Sequence, residues 1–443
     1  MQIKGRRWNM RQPRRHSSPL KYVLLLGIIA FLVYVNITVE PLSPTLFVAS
    51  PTPTISPEMF IAEAEELANE GKYNLAIQSY NKAVIADPQN ANNYIALARL
   101  NIYNGEFEKA IENASNAVLL NPSSSTAEAL KGFAQGLMGD YLAAEGSLNR
   151  AIELDPANSS AYAYLSLILS QKIILGEETL GDLDRSIEAS RKAESIAPDS
   201  MESRWARGVV LEITSNYEEA IRELERAVEI NSNIAELHIA LGRNYRYMNE
   251  SLLAVEAYTR ANSLNPADPI PDLYISRTYE NIGEFARAIQ FAEQAVKDDP
   301  KDPFLYGNLG SLYFKNFEYE KALFTLRLAV KGGITPEGIQ VEGIPLSYAG
   351  RVAEFYSRYG LTLDYLGYCG EAVDLAQSLL QTLPNDEFTG INAQIIIREC
   401  YDKINERQLL KLPEPTMIPT WTPQPSPTPT PQPTQAPTPT PIP

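Results

Sequence analysis

The chain has 443 residues, and its 38 lysines and arginines against 54 aspartates and glutamates give a formal net charge of −16. Seven cations and no acid fall within residues 1–21, no charged residue falls within 22–39, and the remainder holds 31 cations and 54 acids. So acidic a surface repels phosphate backbones, which excludes nucleic acid as a partner. Two cysteines and two histidines are too few for a clustered zinc site, and we predict neither metal nor cofactor.

The first predicted element is an apolar helix over residues 22–39, YVLLLGIIAFLVYVNITV. At about 1.5 Å per residue it spans roughly 27 Å, close to the bilayer core of about 30 Å. Because the basic leader 1–21 precedes it, the positive-inside tendency keeps the N-terminus in the cytoplasm and exports the rest. A cleaved signal peptide is the alternative, but no small-residue cleavage site follows promptly. We expect a bacterial single-pass protein of the cytoplasmic membrane, in contact with lipid through 22–39.

Proline and threonine dominate the linker 40–56 and the tail 412–443. Proline at every second or third position removes amide donors and fixes φ, so neither helix nor sheet forms there. We expect disordered, extended polyproline II spacers. A glycosylated stalk or a ligand for a proline-binding module is the alternative for these segments. Trp421, the tail's only aromatic residue, offers a docking point.

A period of 34 residues organises positions 57–386. Prolines recur in steps of 34 or its multiples, apart from insertions of eight residues near 173–183 and sixteen near 337–352, at Pro88, Pro122, Pro156, Pro198, Pro266, Pro300 and Pro384. The eighth place of each unit is small: Ala64, Ala98, Gly132, Ser166, Gly208, Gly242, Ser276, Gly310 and Gly360. Such a period predicts nine stacked helical hairpins, in which the small residue lets the second helix approach the first and the proline ends the second helix.

Two copies of the repeat, 235–268 and 303–336, contain the pattern L-G-x-x-Y, as Leu241-Gly242-Tyr245 and Leu309-Gly310-Tyr313. In these residues the chain resembles the tetratricopeptide repeat family, over 57–386. The resemblance implies an all-α, right-handed solenoid of nine hairpins, closed by a capping helix at 387–411. It also implies a non-catalytic scaffold for protein–protein interaction, displayed in the cell envelope outside the cytoplasmic membrane. A receptor or adaptor whose groove holds an extended peptide or envelope polymer is the alternative.

Signatures of catalysis are missing from the sequence. It contains no phosphate-binding glycine loop, nucleophile elbow, kinase motif or cluster of metal ligands. The glycine-rich segment 332–343 lacks a following Lys-Ser or Lys-Thr and is interpreted as a surface loop. We therefore predict no catalytic residue and no enzyme activity.

The resemblance places the binding surface on the concave face, which the first helices line. In units six to eight it selects Arg243, Arg246, Tyr247, Arg277, Asn281, Phe314 and Lys315. Four cations beside two aromatic rings suit a partner that presents carboxylates or an acidic peptide. The alternative is that these cations pair with acids of the array itself, such as Glu280.

Cys369 and Cys400 are the only cysteines. Cys369 begins the second helix of unit nine and Cys400 lies within the capping helix, which runs antiparallel to it, so both fall near the same end of the stack. An oxidising compartment would allow a disulfide between them. Buried free thiols are the alternative.

Overall fold

The computed structural model describes residues 19–39, 56–347 and 351–410 of the chain. The chain divides into two units, residues 1–56 and residues 57–443. In the first unit, helix α1 covers Pro19–Val39 and exposes its large apolar side chains. None of the helices in the described ranges is long and apolar enough to cross a membrane. The transmembrane segment at 22–39 stays a prediction, and the predictions for most of the leader, the linker and the tail lie outside the described residues.

The second unit contains nine helical hairpins in its described residues. Their first helices are α2 (Pro57–Asn69), α4 (Ala91–Tyr103), α6 (Ser125–Leu137), α8 (Ser159–Leu175), α10 (Met201–Ile213), α12 (Ala235–Tyr247), α14 (Pro269–Asn281), α16 (Pro303–Lys315) and α18 (Val352–Tyr365). Their second helices are α3 (Tyr73–Ala86), α5 (Phe107–Leu120), α7 (Tyr141–Leu154), α9 (Asp182–Ile196), α11 (Tyr217–Ile230), α13 (Ser251–Leu264), α15 (Phe285–Asp298), α17 (Tyr319–Lys331) and α19 (Cys369–Thr382). Helix α20 (Glu387–Leu410) packs on α18 and α19. The predicted all-α repeat architecture is confirmed, and its right-handedness stays a prediction.

Each hairpin turn reverses the chain through one residue in the left-handed conformation. At the first turn, Gly71 has φ 74°, and the amide of Lys72 donates to the carbonyl of Leu67 at 2.8 Å. This is the Schellman arrangement, which satisfies carbonyls at the end of the first helix. Three turns use a residue other than glycine at the same place, each with φ 63°: Ser215, Asn249 and Phe317.

The prolines fall outside the helices, as the period predicts. Pro88 comes two residues after α3 ends, and Pro300 two residues after α15 ends. A short polar side chain then accepts a backbone N–H at the start of the next first helix; these caps are Asn90, Ser124, Asn158, Ser200, Asp268 and Asp302. Each cap satisfies a donor that the helix cannot pair internally.

The glycine-rich segment 332–343 forms a small sheet instead of the expected surface loop. Strand β1 (Gly332–Ile334) pairs antiparallel with β2 (Gln340–Glu342), and Gly333 lies opposite Val341. Val341 is fully buried in a cluster with Tyr306 and Leu328. One apolar side chain in a short insertion therefore holds it against α16 and α17.

Contacts between distant units close one turn of the superhelix. The Tyr73 hydroxyl donates to Asn231 Oδ1 at 3.1 Å, across 158 positions of sequence. A Cβ on Gly71 would lie 2.3 Å from the Asn233 side chain, and one on Gly105 would lie 2.7 Å from Asn265. Units one and two thus touch the junctions before units six and seven, so five units complete a turn.

The small eighth place sets the distance between paired helices, and Gly132 tests this. A Cβ there would lie 2.9 Å from the Ala144 carbonyl oxygen and 2.8 Å from Leu148 Cγ. We expect Gly132→Ala to destabilise the array by about 1–3 kcal/mol in chemical denaturation, because backbone must move. Gly146 lies in α7 of the same hairpin with nothing within 4 Å of its would-be Cβ. Gly146→Ala should be stabilising by about 0.5–1 kcal/mol. Equal effects of the two variants would contradict the packing argument.

Candidate functional site

Arg243, predicted as the centre of the binding face, serves the fold instead. Its Nε and Nη2 donate to the two carboxylate oxygens of Glu212 at 2.6 and 2.8 Å, and both side chains are buried. A bidentate pair of this kind neutralises the guanidinium and fixes its orientation. The predicted role of Arg243 in binding a partner is therefore corrected, because its charge is already balanced within the array.

Further along the first helices, the side chains of units six to nine form what we call the basic groove. It comprises Arg246, Tyr274, Arg277, Glu280, Lys315 and Arg351. Lys315 Nζ donates to Glu280 Oε1, and Arg351 Nη2 lies 3.3 Å from Glu280 Oε2. Burial alone would raise the pKa of Glu280, but Arg351 and Lys315 lower it below its ordinary value. One buried, ionised carboxylate thus faces four cations.

Arg277 lacks a counter-ion in the part of the chain that the structure describes. Its Nε donates to Asn308 Oδ1 at 3.4 Å, and its guanidinium lies 6.0 Å from the Tyr274 ring centre. No described carboxylate oxygen comes within 4 Å of it. Burial and the positive charge of Arg351 lower the pKa of Arg277 to about 10. This guanidinium is desolvated without compensation, and most of its donors remain available.

The repeat itself explains why Arg277 is unpaired. Arg243 holds the ninth place of unit six and pairs with Glu212, at the twelfth place of unit five, 31 positions earlier. Arg277 holds the ninth place of unit seven, and 31 positions before it stands Arg246. The place that carries the counter-ion in one unit therefore carries a second cation in the next. Arg246 accordingly lies over aromatic rings, 5.7 Å from Tyr274 and 5.5 Å from Tyr247.

The remaining predicted residues lie towards the hairpin turns. Tyr247 and Asn281 are the last residues of α12 and α14, and both are exposed. Tyr247 stacks on Tyr217, with ring centres 4.8 Å apart. Phe314 is half-buried under Arg358, whose guanidinium lies 5.4 Å from the ring centre. The structure thus brings Arg246, Arg277 and Lys315 into one groove and leaves these three at its edge.

Two groove residues escape the sequence analysis. Tyr274 stands at the sixth place of its unit, outside the places that the family resemblance assigns to the concave face. Arg351 belongs to the insertion before α18, where no repeat register applies, yet its Nη1 lies 3.3 Å from Asn308 Oδ1. No signal in the sequence identifies Arg351, because its position depends on how the insertion folds.

The interior of the superhelical turn is packed rather than arranged for recognition. Phe133 stacks on Tyr164 with ring centres 4.2 Å apart, and the edge of Trp205 meets Phe133 at 5.7 Å. A cavity of about 470 Å³ remains beside Phe133, Trp205 and Glu236. Burial raises the pKa of Glu236 to about 7. A carboxyl that resists ionisation here gives no strong site for a cation.

At the C-terminal end, Cys369 and Cys400 form a disulfide between α19 and α20, with Cα atoms 5.1 Å apart. Cys400 Sγ lies 3.1 Å from Asp364 Oδ1, to which Lys403 Nζ donates at 2.8 Å. These two sulfurs and the carboxylate are close enough together to ligate a metal. The disulfide removes the thiolates that such a site would need.

Comparison with known proteins agrees with the geometry of the repeats. Models of the tetratricopeptide repeat match residues 57–90, 175–233, 239–303 and 305–331. The chain therefore contains tetratricopeptide repeats.

Two relatives are similar over part of the chain. Anaphase-promoting complex subunit 6 of Arabidopsis thaliana is 31% identical over 43% of this chain and 35% of its own length. The human cell division cycle protein 16 homolog is 29% identical over 32% of this chain and 24% of its own length. The chain thus spans about a third or less of these relatives. A solved tetratricopeptide repeat protein from Parabacteroides merdae is 15% identical, with a TM-score of 0.37, over 58% of this chain and 98% of that one.

The structural role of Arg243 predicts a large loss of stability on its removal. Arg243→Met leaves Glu212 buried without a partner and should cost about 3–5 kcal/mol, measured by chemical denaturation. Arg243→Met combined with Glu212→Leu should recover most of that loss, since no charge is then left buried. As a control, Arg222→Met breaks an exposed pair with Glu219 and should cost less than about 1 kcal/mol. A stable single variant would reinstate Arg243 as a free donor.

Proposed function

We propose that the chain is a non-catalytic interaction scaffold whose basic groove binds an extended, acidic segment of a partner protein. The observation that carries this proposal is the uncompensated Arg277 guanidinium. A buried cation without a counter-ion is costly, and a carboxylate of a partner would lower that cost as it binds. The tetratricopeptide repeats support the interaction role, and one relative is by its name a subunit of a multiprotein complex.

The groove suits an extended chain rather than a small anion. Its side chains come from three successive first helices and the insertion before α18, so donors recur along its length. The Tyr274 ring lies between the guanidinium groups of Arg246 and Arg277 and offers an aromatic surface beside them. Glu280 holds Lys315 and Arg351 in place without cancelling both charges. Charge-assisted hydrogen bonds of this kind are worth about 1.5–3 kcal/mol each.

A single substitution can supply the missing counter-ion from within the array. Arg246→Glu places a carboxylate at the twelfth place of unit six, where Glu212 serves Arg243 in the preceding pair. We expect it to pair with Arg277, to hold or raise the melting temperature of the full chain, and to weaken binding of a fluorescent hexaglutamate peptide at least tenfold. Fluorescence anisotropy measures the peptide affinity, and circular dichroism measures the melting temperature.

The matched control for this variant changes the net charge equally at a distance from the groove. Arg222 is an exposed residue of α11, and Arg222→Glu should alter peptide affinity less than twofold. If Arg222→Glu weakens binding as much as Arg246→Glu, only the overall charge matters and the groove is not the site. Wild-type affinity in Arg246→Glu would overturn the proposal as well.

For the location of the array, we infer that residues 22–39 tether it to the outer side of a cytoplasmic membrane. The support comes from the sequence: seven cations precede an uncharged stretch of 18 residues, and the chain beyond it is acidic. The exposed apolar side chains of α1 are consistent with a lipid environment.

Reporter fusions test this topology in bacterial cells. Alkaline phosphatase fused after Pro443 should be active, because it folds only after export, and a reporter that needs the cytosol should be silent at the same position. Substituting acids for the cations of residues 1–21 should reduce the phosphatase signal, since those cations set the orientation. An active cytosolic reporter in the unaltered chain would refute the assignment.

A further inference from the structure

Four aromatic side chains form an exposed cluster at the turns of units eight and nine. We call Phe314, Phe317, Tyr319 and Tyr365 the aromatic patch. The rings of Tyr319 and Tyr365 stack with centres 4.4 Å apart, and Phe314 meets both edge-on at 5.6 and 6.1 Å. Phe317 is 76% exposed and Tyr365 is 60% exposed. A cluster this exposed marks an interaction surface.

Phe317 is also at a position where its backbone conformation is unfavourable. It occupies the left-handed place of its turn, with φ 63°, where five other turns have glycine. A bulky side chain is rarely found in that region, because Cβ crowds the following carbonyl oxygen. Since the ring is mostly exposed, packing within the array does not explain its presence. Strain retained at an exposed site points to a function there.

The chain leaves the described structure beside this patch. In the last turn of α20, Arg407 Nη1 donates to the Gly367 carbonyl at 3.4 Å, and Lys403 Nζ donates to the Asp364 carbonyl at 2.8 Å. Tyr365 lies between these two carbonyls in sequence. Helix α20 ends at Leu410, and the proline-rich tail 412–443 follows directly. A few residues at about 3.1 Å each, the polyproline II rise, are enough to bring the tail onto the patch.

We propose that the aromatic patch binds the chain's own tail, residues 412–443, in the polyproline II conformation. Proline-rich segments dock on aromatic-lined surfaces in this conformation, which loses little entropy on binding. Within 412–443 the only charged residue is Glu414, so the acidic array does not repel the segment. The proposal concerns a different surface from the basic groove and goes beyond the proposed function.

Tethering makes even a weak contact effective. A short connection gives the tail an effective concentration on the order of 1 mM, so a dissociation constant of about 0.1 mM leaves about nine tenths of it bound. The test uses the full chain with Ser426→Cys carrying a nitroxide label, since the native cysteines form a disulfide and do not react. The electron paramagnetic resonance spectrum should show a majority of immobilised label.

The decisive variant is Phe317→Asn with Tyr365→Ser. Asn249 holds the same turn position with the same φ, so asparagine is compatible with the fold there. This variant should reduce the immobilised fraction at least fivefold with an unchanged melting temperature, and Leu142→Ser, at an exposed residue of unit three, should leave it unchanged. A mobile label in the unaltered array would overturn the proposal. Immobilisation that falls on tenfold dilution would also overturn it, because the bound tail would then belong to a second copy.

Discussion

The close approach of the two helices in each hairpin is the constraint on which the array depends. At the eighth place of the first helix there is no room for a larger residue: a Cβ on Gly242 would lie 2.5 Å from the Tyr258 ring. Because this contact recurs every 34 residues, successive hairpins stack at the same angle, and equivalent places of neighbouring units come to lie side by side. The charged pairs and the groove follow from this repetition.

Within that frame, a change of one residue type alters the chemistry of a whole surface. The ninth and twelfth places of adjacent units meet, as the contact between Arg243 and Glu212 demonstrates. In the next pair of units the twelfth place is Arg246, so two cations meet where an ion pair would otherwise form. The insertion before α18 adds Arg351, which shares Glu280 with Lys315. A departure from the repeat therefore produces an uncompensated charge in an otherwise balanced array.

The sequence predicts the fold well because each signal is local and recurs many times. Glycine at the turns and proline after the second helices each have one physical consequence, and the helix bounds follow them closely. The binding residues are predicted less well. Place-by-place resemblance selects residues by direction only, so it cannot distinguish Arg243, which has a partner 31 positions earlier, from Arg277, which has none. A search for acids at that spacing would have separated the two, whereas the position of Arg351 depends on the fold of an insertion.

A solenoid has two ends where hairpins lack a neighbour, and this array secures them by different means. At the C-terminal end, α20 buries Ala393, Ile396 and Cys400 completely, and the disulfide joins it to α19. At the N-terminal end, unit one is held by the contact of Tyr73 with Asn231, a full superhelical turn away. Units six to nine lie between the closed turn and the cross-linked cap. Fraying from the termini, the usual weakness of a linear repeat, therefore reaches the basic groove last, and its side chains keep a fixed arrangement before any partner binds.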